Sequence, residues 1–253
     1  MKILLTNDDG IHALGLSALY HALKADYDVD IVAPESEMSA VGHAITLSTP
    51  LRVQKVYENG SFYGFAITGT PADCVKIAVQ ELLEKTPDII ISGINLGANV
   101  GINVLYSGTV SAATEGAFLG IKSAAVSLDT RRDPDFRFAA QFSNKLIQYM
   151  MENDLEKGTA LNVNIPAVPS HEIKGVCFTR QGTSRMEERF ERRTDPRGNV
   201  YYWLAGEHFV KNGKPNTDYV VLKENKVTIT PIHYDLTCYR ELERLKLASY
   251  PIK

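Results

Sequence analysis

The stretch that decides the fold is Met1-Lys2-Ile3-Leu4-Leu5-Thr6-Asn7-Asp8-Asp9-Gly10. Met1 to Thr6 reads as a buried β-strand, because an aliphatic run is bounded at once by turn residues. The strand hands directly to two adjacent carboxylates, Asp8 and Asp9, in a turn ended by Gly10. Bare carboxylates this close raise one another's pKa unless a cation sits between them. Their natural partner is a hard divalent ion such as Mg²⁺ or Mn²⁺. Judged alone, the four residues fit better a polar turn that caps the next helix, since Asn, Asp and Gly favour turns. The rest of the chain shifts the reading toward chemistry.

Outward from this stretch, the first half alternates strands and helices. Strands are expected at Lys2–Thr6, Val29–Val32, Asp88–Ser92, Ala124–Leu128 and Ala160–Ile165. Helices are expected at Gly15–Lys24, Pro71–Glu84, Thr109–Gly120 and Phe136–Asn153, from apolar residues at helical spacing. This rhythm implies an α/β fold: a Rossmann-like, doubly wound, mostly parallel sheet with helices on both faces. After about Gly175 the pattern changes. Arg180–Gly198 is polar and charge-rich, Tyr201–Leu204 and Tyr219–Leu222 read as strands, and Glu224-Asn225 turns into a strand at Lys226–Thr230, a hairpin-like arrangement. Tyr239–Leu247 reads as a short terminal helix. The expected organisation is a catalytic core over 1–175 and a C-terminal β-hairpin and helix extension over 176–253, an oligomerisation arm of the same domain.

Bulk properties narrow the function. A chain of 253 residues suffices for one large α/β domain. A net charge of −3 leaves no broad basic footprint for a nucleic-acid duplex. No apolar stretch approaches the roughly 20 residues of a membrane helix, and the first apolar run breaks too early for a signal peptide. A cytoplasmic location is therefore expected. Cys74, Cys177 and Cys238 are far apart, without C-x-x-C spacing, so neither a disulfide framework nor a zinc site is expected.

In open parallel sheets ligands bind outside the carboxyl ends of the strands. Three polar loops leave those ends: Asn7-Asp8-Asp9, the segment Pro34 to His43 that contains Ser39, and Gly93 to Gly101, which contains Asn95. Gly93, Gly97 and Gly101 allow positive φ and close backbone approach. This last loop runs on to Tyr106-Ser107-Gly108-Thr109, just before a helix of small residues. Backbone N–H groups and a helix N-terminus at one place suit a phosphate, although Ser107 and Thr109 are also ordinary N-cap residues. A divalent ion on Asp8 and Asp9 opposite a phosphate cradle describes a phosphoester hydrolase. Asn95 and Ser39 are candidate neutral ligands, and ordinary loop hydrogen bonding is their simpler role. No G-x-G-x-x-G follows the first strand, and neither a P-loop nor a G-x-S-x-G elbow is present. The six histidines show no metal-binding spacing, and His43 is notable only for its nearness to Ser39.

These residues resemble the SurE family, stationary-phase survival proteins with 5′-nucleotidase activity. The resemblance rests on Ile3 to Gly10, Ala33-Pro34 with Ser39-Ala40, Thr68-Gly69-Thr70-Pro71-Ala72-Asp73-Cys74-Val75, Pro87-Asp88, Ser92-Gly93-Ile94-Asn95 with Gly97, and Tyr106-Ser107-Gly108-Thr109-Val110. Thr217-Asp218, Thr230-Pro231 and Asp235-Leu236-Thr237 also fit. It implies a Rossmann-like SurE fold and one divalent ion per subunit, held by Asp8, Asp9, Ser39 and Asn95. It implies hydrolysis of nucleoside 5′-monophosphates to nucleoside and phosphate, with 3′-nucleotides and short polyphosphate as further substrates, in a homodimer or homotetramer built partly through exchanged C-terminal elements. Asn7, Ser107, Gly108 and Thr109 are the expected phosphate-binding residues, and Asp8 and Asp9 the catalytic ones. Water is the expected nucleophile, since both carboxylates are committed to the metal; direct attack by Asp8 is the alternative. Leu96–Asn103 departs from many relatives in having Leu96 and Ala98-Asn99, which bears on substrate preference. Two other readings are a nucleotide-binding sensor without turnover and a structural oligomer whose acidic turn only caps a helix.

Overall fold

A computed structural model of the chain describes residues 1–130, 132–183, 189–206 and 214–247. Its elements in order are β1 (Lys2–Thr6), α1 (Leu14–Leu23), β2 (Asp28–Pro34), β3 (Val53–Glu58), β4 (Ser61–Ile67), α2 (Pro71–Ile77), β5 (Ile89–Leu96), α3 (Gly108–Phe118), β6 (Lys122–Asp129), α4 (Arg137–Glu152), β7 (Thr159–Pro166), β8 (Val176–Phe178), β9 (Arg189–Thr194), β10 (Val200–Ala205), α5 (Asp218–Leu222), β11 (Val227–His233) and α6 (Tyr239–Lys246). Nine strands form the main sheet in the order β3-β4-β2-β1-β5-β6-β7-β11-β8. From β4 to β7 every pairing is parallel. The doubly wound α/β architecture expected from the sequence is therefore present.

Side-chain alternation along the strands explains the two layers of helices. Ile3, Leu5, Ile31, Ile89 and Ile91 pack on one face with Leu16, Leu19 and Leu23 of α1 and Leu146, Ile147 and Met150 of α4. Leu4, Val32 and Ile90 pack on the other with Cys74, Val75 and Ala78. Ile89, Ile90 and Ile91 are all fully buried, and each such side chain stabilises the fold by roughly 1.5–3 kcal/mol relative to exposure. Successive isoleucines face opposite ways, so the continuous apolar run is what a strand covered on both faces requires. Cys74 behaves as a small apolar residue, and all three cysteines are free.

The structure corrects the sequence reading in several places. Tyr219–Leu222 is not a strand but helix α5. Its β-prone side chains are overridden by Asp218, whose carboxylate accepts the Tyr219 N–H, and by burial of Val221 and Leu222. The strand after it therefore has no hairpin partner there. It runs over Val227–His233 and pairs antiparallel with β7 and, over Val227–Ile229, parallel with β8. Pro231 is accommodated because it lies past the end of β8, where no ladder bond is demanded of it on that side. The helix from Pro71 ends at Ile77 and continues as a π turn over Ala78–Leu82. Missing from the sequence reading was the β3–β4 hairpin, whose Asn59 and Gly60 both have positive φ, as a two-residue hairpin turn demands.

Beyond β8, the chain forms an antiparallel β9–β10 ribbon apart from the main sheet. Residues 184–188 of the polar stretch lie outside the described residues. Among the described residues, no helix is long and apolar enough to cross a membrane.

Candidate active site

Strand order reverses at β1, which has β2 on one side and β5 on the other. In an open parallel sheet the crevice forms at such a switch point, outside the carboxyl ends. Three loops meet there. The Asp8 C=O accepts the Met38 N–H at 2.7 Å, joining the β1 and β2 loops. The backbone of Leu96 donates to Asp9, joining the β5 loop. The Asn7 side-chain amide donates to the Gly10 C=O at 2.9 Å and holds the turn.

The N-terminus of α3 closes the crevice. Thr109 Oγ1 donates to Asp8 Oδ1 at 2.6 Å. Gly108 packs so tightly on Asp8 that an added Cβ would lie 2.7 Å from its Cβ and 3.0 Å from Oδ2, so only glycine lets the helix start against this carboxylate. Ser107 Oγ accepts the Val110 N–H at 3.1 Å and caps the helix. The hydroxyls of Ser107 and Thr109 are thus engaged within the protein, as are the N–H groups of Val110, on Ser107, and of Thr109, on Asp8.

The electrostatics of the pair are one-sided. Asp8 is buried, and burial pushes its pKa up against the opposing bond from Thr109. Asp9 is pushed up to about 6, by burial first and then by the charges of Asp8 and Glu37. Among the described residues neither carboxylate has a salt-bridge partner within 4.0 Å. The Asn7 side-chain oxygen is also buried without a hydrogen-bond donor. A buried acid, a half-buried one beside it and an unpartnered amide oxygen, with no basic side chain among the described residues to offset them, fit a hard divalent cation. No three His, Cys, Asp or Glu side chains among the described residues cluster as a metal site, so an ion here would need neutral oxygens beside the two carboxylates.

Ser39 lies on the loop after β2, and Asn95 near the end of β5. Ser39 Oγ donates to Glu37 Oε1 at 2.5 Å. Asn95 donates its side-chain N–H to the Gly97 C=O at 2.7 Å, which leaves its oxygen as the free end.

Several contributors had no isolated signal in the sequence. Glu37 adds a third negative charge beside the pair. His43 is drawn away from Ser39: its Nε2 lies 2.8 Å from Glu115, which also accepts from Lys76 at 3.0 Å. Burial pushes the Glu115 carboxyl up, but the bonds from His43 and Lys76 outweigh it and hold the pKa below the ordinary value. This triad pins the loop carrying Ser39 onto α3. Asn99 is buried between the loop and the sheet. Its N–H donates to Asn164, its C=O accepts from Asn162 and Asn164, and its side chain donates to Ser127. The same side chain reaches Thr109 Oγ1 at 3.4 Å.

The fold and this edge define a class: doubly wound α/β proteins that set an adjacent carboxylate pair against a helix N-terminus. The chain belongs to the SurE family. The family model described as survival protein SurE matches residues 3–188. The 5′-nucleotidase SurE of Syntrophus aciditrophicus is 55% identical over 247 residues, covering 97% of this chain and 93% of that protein. The 5′-nucleotidase SurE of Syntrophobacter fumaroxidans is 53% identical, covering 97% and 98%. The crystal structure of the SurE protein from Aquifex aeolicus superposes with a TM-score of 0.84 at 40% identity, covering 97% of this chain and 98% of that one.

Proposed function

We propose that this chain is a metal-dependent phosphomonoesterase that hydrolyses nucleoside 5′-monophosphates to nucleoside and phosphate. Its membership of a family whose curated relatives are 5′-nucleotidases supports the reaction. The observation that carries the site is the Asp8–Asp9 pair, Asp8 buried and Asp9 half-buried, uncompensated by any basic side chain among the described residues and beside the head of α3. Asp8, Asp9, Ser39 and Asn95 would hold one Mg²⁺ or Mn²⁺. Bound there, the ion supplies charge to polarise a phosphoryl oxygen and lowers the pKa of bound water.

The residues divide the remaining work. The backbone N–H of Gly108 binds a phosphate oxygen at the positive end of α3, while the N–H of Thr109 stays on Asp8. Asn7 holds the turn that presents both acids. Asp8 has one oxygen committed to Thr109, which favours water over Asp8 as the nucleophile. Asp9, the less buried acid, orients that water and takes its proton. The same cradle reads a terminal phosphoryl group rather than a base, so 3′-nucleotides and short polyphosphate are further substrates in this reading.

The C-terminal region after 176 is read as an assembly arm. Phe190, Tyr202, Trp203 and Leu204 on the ribbon are exposed, and α6 buries no residue within the chain. Apolar surface of that kind marks an interface, and a second copy in a homodimer or homotetramer is its proposed cover. A cytoplasmic location is part of the same proposal.

Phosphate release from 5′-AMP tests this, after stripping with chelator and adding back Mn²⁺ or Mg²⁺, with 3′-AMP and short polyphosphate alongside. Activity that disappears on stripping and returns with metal is expected. Undiminished activity after stripping contradicts the metal reading, and no activity under any condition returns the sensor reading to the front.

A further inference from the structure

Asp218 is fully buried, far from Asp8 in sequence, and has no role in the chemistry above. Among the described residues no cation pairs with it. Its carboxylate instead accepts three backbone N–H groups from three segments: Gly101 on Oδ2 at 2.8 Å, and Gly182 at 2.9 Å and Tyr219 at 2.8 Å on Oδ1. Gln181 completes the link by donating to the Gly101 C=O at 2.8 Å. Gly182 is required for this approach, since a Cβ there would sit 2.9 Å from Asp218 Oδ1.

Gly101 opens the 3₁₀ turn Gly101–Tyr106, which runs straight into Ser107, the cap of α3. Gly101 has a φ of +61, so its direction depends on being held rather than on a preference shared by other residues. Gly182 lies on the opposite side of the carboxylate, in the segment that leads toward β9. We propose that Asp218 is a positioning residue for the phosphate end of the site: it holds the Gly101–Tyr106 turn, and through it the head of α3 with the Gly108 N–H, in phosphate-binding position. The inference rests on the reading of the head of α3 as the phosphate end of the site. An accepting carboxylate is suited to the task because a charged acceptor makes stronger bonds to N–H groups than a neutral one. Burial makes loss of any one of those bonds costly.

The test is Asp218→Asn, assayed with Mn²⁺ and 5′-AMP. The amide keeps the size and one oxygen. With that oxygen on Gly182 and Tyr219, its NH₂ group faces the Gly101 N–H, donor against donor. The expected result is a rise of tenfold or more in KM and in the competitive inhibition constant of inorganic phosphate, with Mn²⁺ affinity within twofold of wild type. A purely structural peg would lower the melting temperature and the folded fraction but leave both constants unchanged, and that result overturns the proposal. If Asp218→Asn does not fold, Gln181→Ala decides: it loosens Gly101 alone, and a rise of about threefold in both constants is expected. Unchanged constants in that variant overturn the proposal. Wild-type protein that hydrolyses 5′-AMP without inhibition by phosphate would sink the cradle reading itself, and with it this inference, and is told apart because the unmutated chain shows it.

Discussion

Thr109 Oγ1 and Asp8 Oδ1 meet at 2.6 Å, both residues buried. Asn99 Nδ2, a donor only, lies on the other side of the hydroxyl at 3.4 Å. The Thr109 hydrogen therefore points to Asp8 and fixes which oxygen that carboxylate turns to the crevice. Thr109→Val removes this bond without changing the size. A bond to a charged group contributes about 1.5–3 kcal/mol, so kcat/KM is expected to fall by about tenfold or more. Thr109→Ser should recover most of it, and steady-state kinetics on the two variants check this.

The metal-free protein should lose stability as pH rises through the range where Asp9 titrates. Its pKa in the folded state is about 6, above the unfolded value near 3.9. The folded chain thus binds this proton more tightly. The contribution favours folding fully below about pH 4 and is lost as pH climbs past about 6. Asp8, also raised, acts in the same direction. Melting temperatures in chelator should fall between about pH 4 and 6. Saturating Mn²⁺ should remove that fall, and Asp9→Asn should flatten it without metal.

Gly108→Ala is a steric test of the helix head. Alanine is the better helix former, yet its Cβ would be 2.7 Å from the Cβ of Asp8. We expect a net destabilisation of about 1–3 kcal/mol, as for overpacked cores, together with weakened Mn²⁺ binding. Denaturant unfolding and calorimetry read the two effects separately.

Glu115→Ala should loosen the loop that carries Ser39. The substitution leaves His43 and Lys76 without their shared acceptor, at a cost of about 1–3 kcal/mol. Backbone N–H exchange in residues 37–44 should quicken, while exchange in β5 stays unchanged.

Exposed Trp203 and Leu204 give the assembly reading a simple check. Trp203→Glu with Leu204→Glu should shift the mass seen by light scattering toward a single chain. An unchanged mass places the interface elsewhere.

The parts of the fold legible in the sequence were those with their own periodicity: β1, β5 and β6 as aliphatic runs, α4 as a long amphipathic helix. The acidic turn was legible because both carboxylates are adjacent. The β3–β4 hairpin also had a local signal, Asn59-Gly60 between aromatic and β-branched residues, and a search for turn pairs would have found it. Asp218–Leu222 was misread because its side chains favour strands, while the decisive bonds come from a buried carboxylate and tertiary contacts. The bonding roles of Asn99, Glu115 and Asp218 could not be read from the sequence. Their partners are Asn164, His43 and Gly101, and only folding brings such residues together.

The most direct measurement is calorimetric titration of Mn²⁺ into metal-free wild type, Asp8→Asn and Asp9→Asn. The account predicts one ion per chain in wild type, with affinity lowered by about a hundredfold or more in each variant, since each loses a charged ligand. Equal affinity in all three proteins, at whatever stoichiometry, would contradict it: the pair would then be a polar turn, and the metal would belong elsewhere.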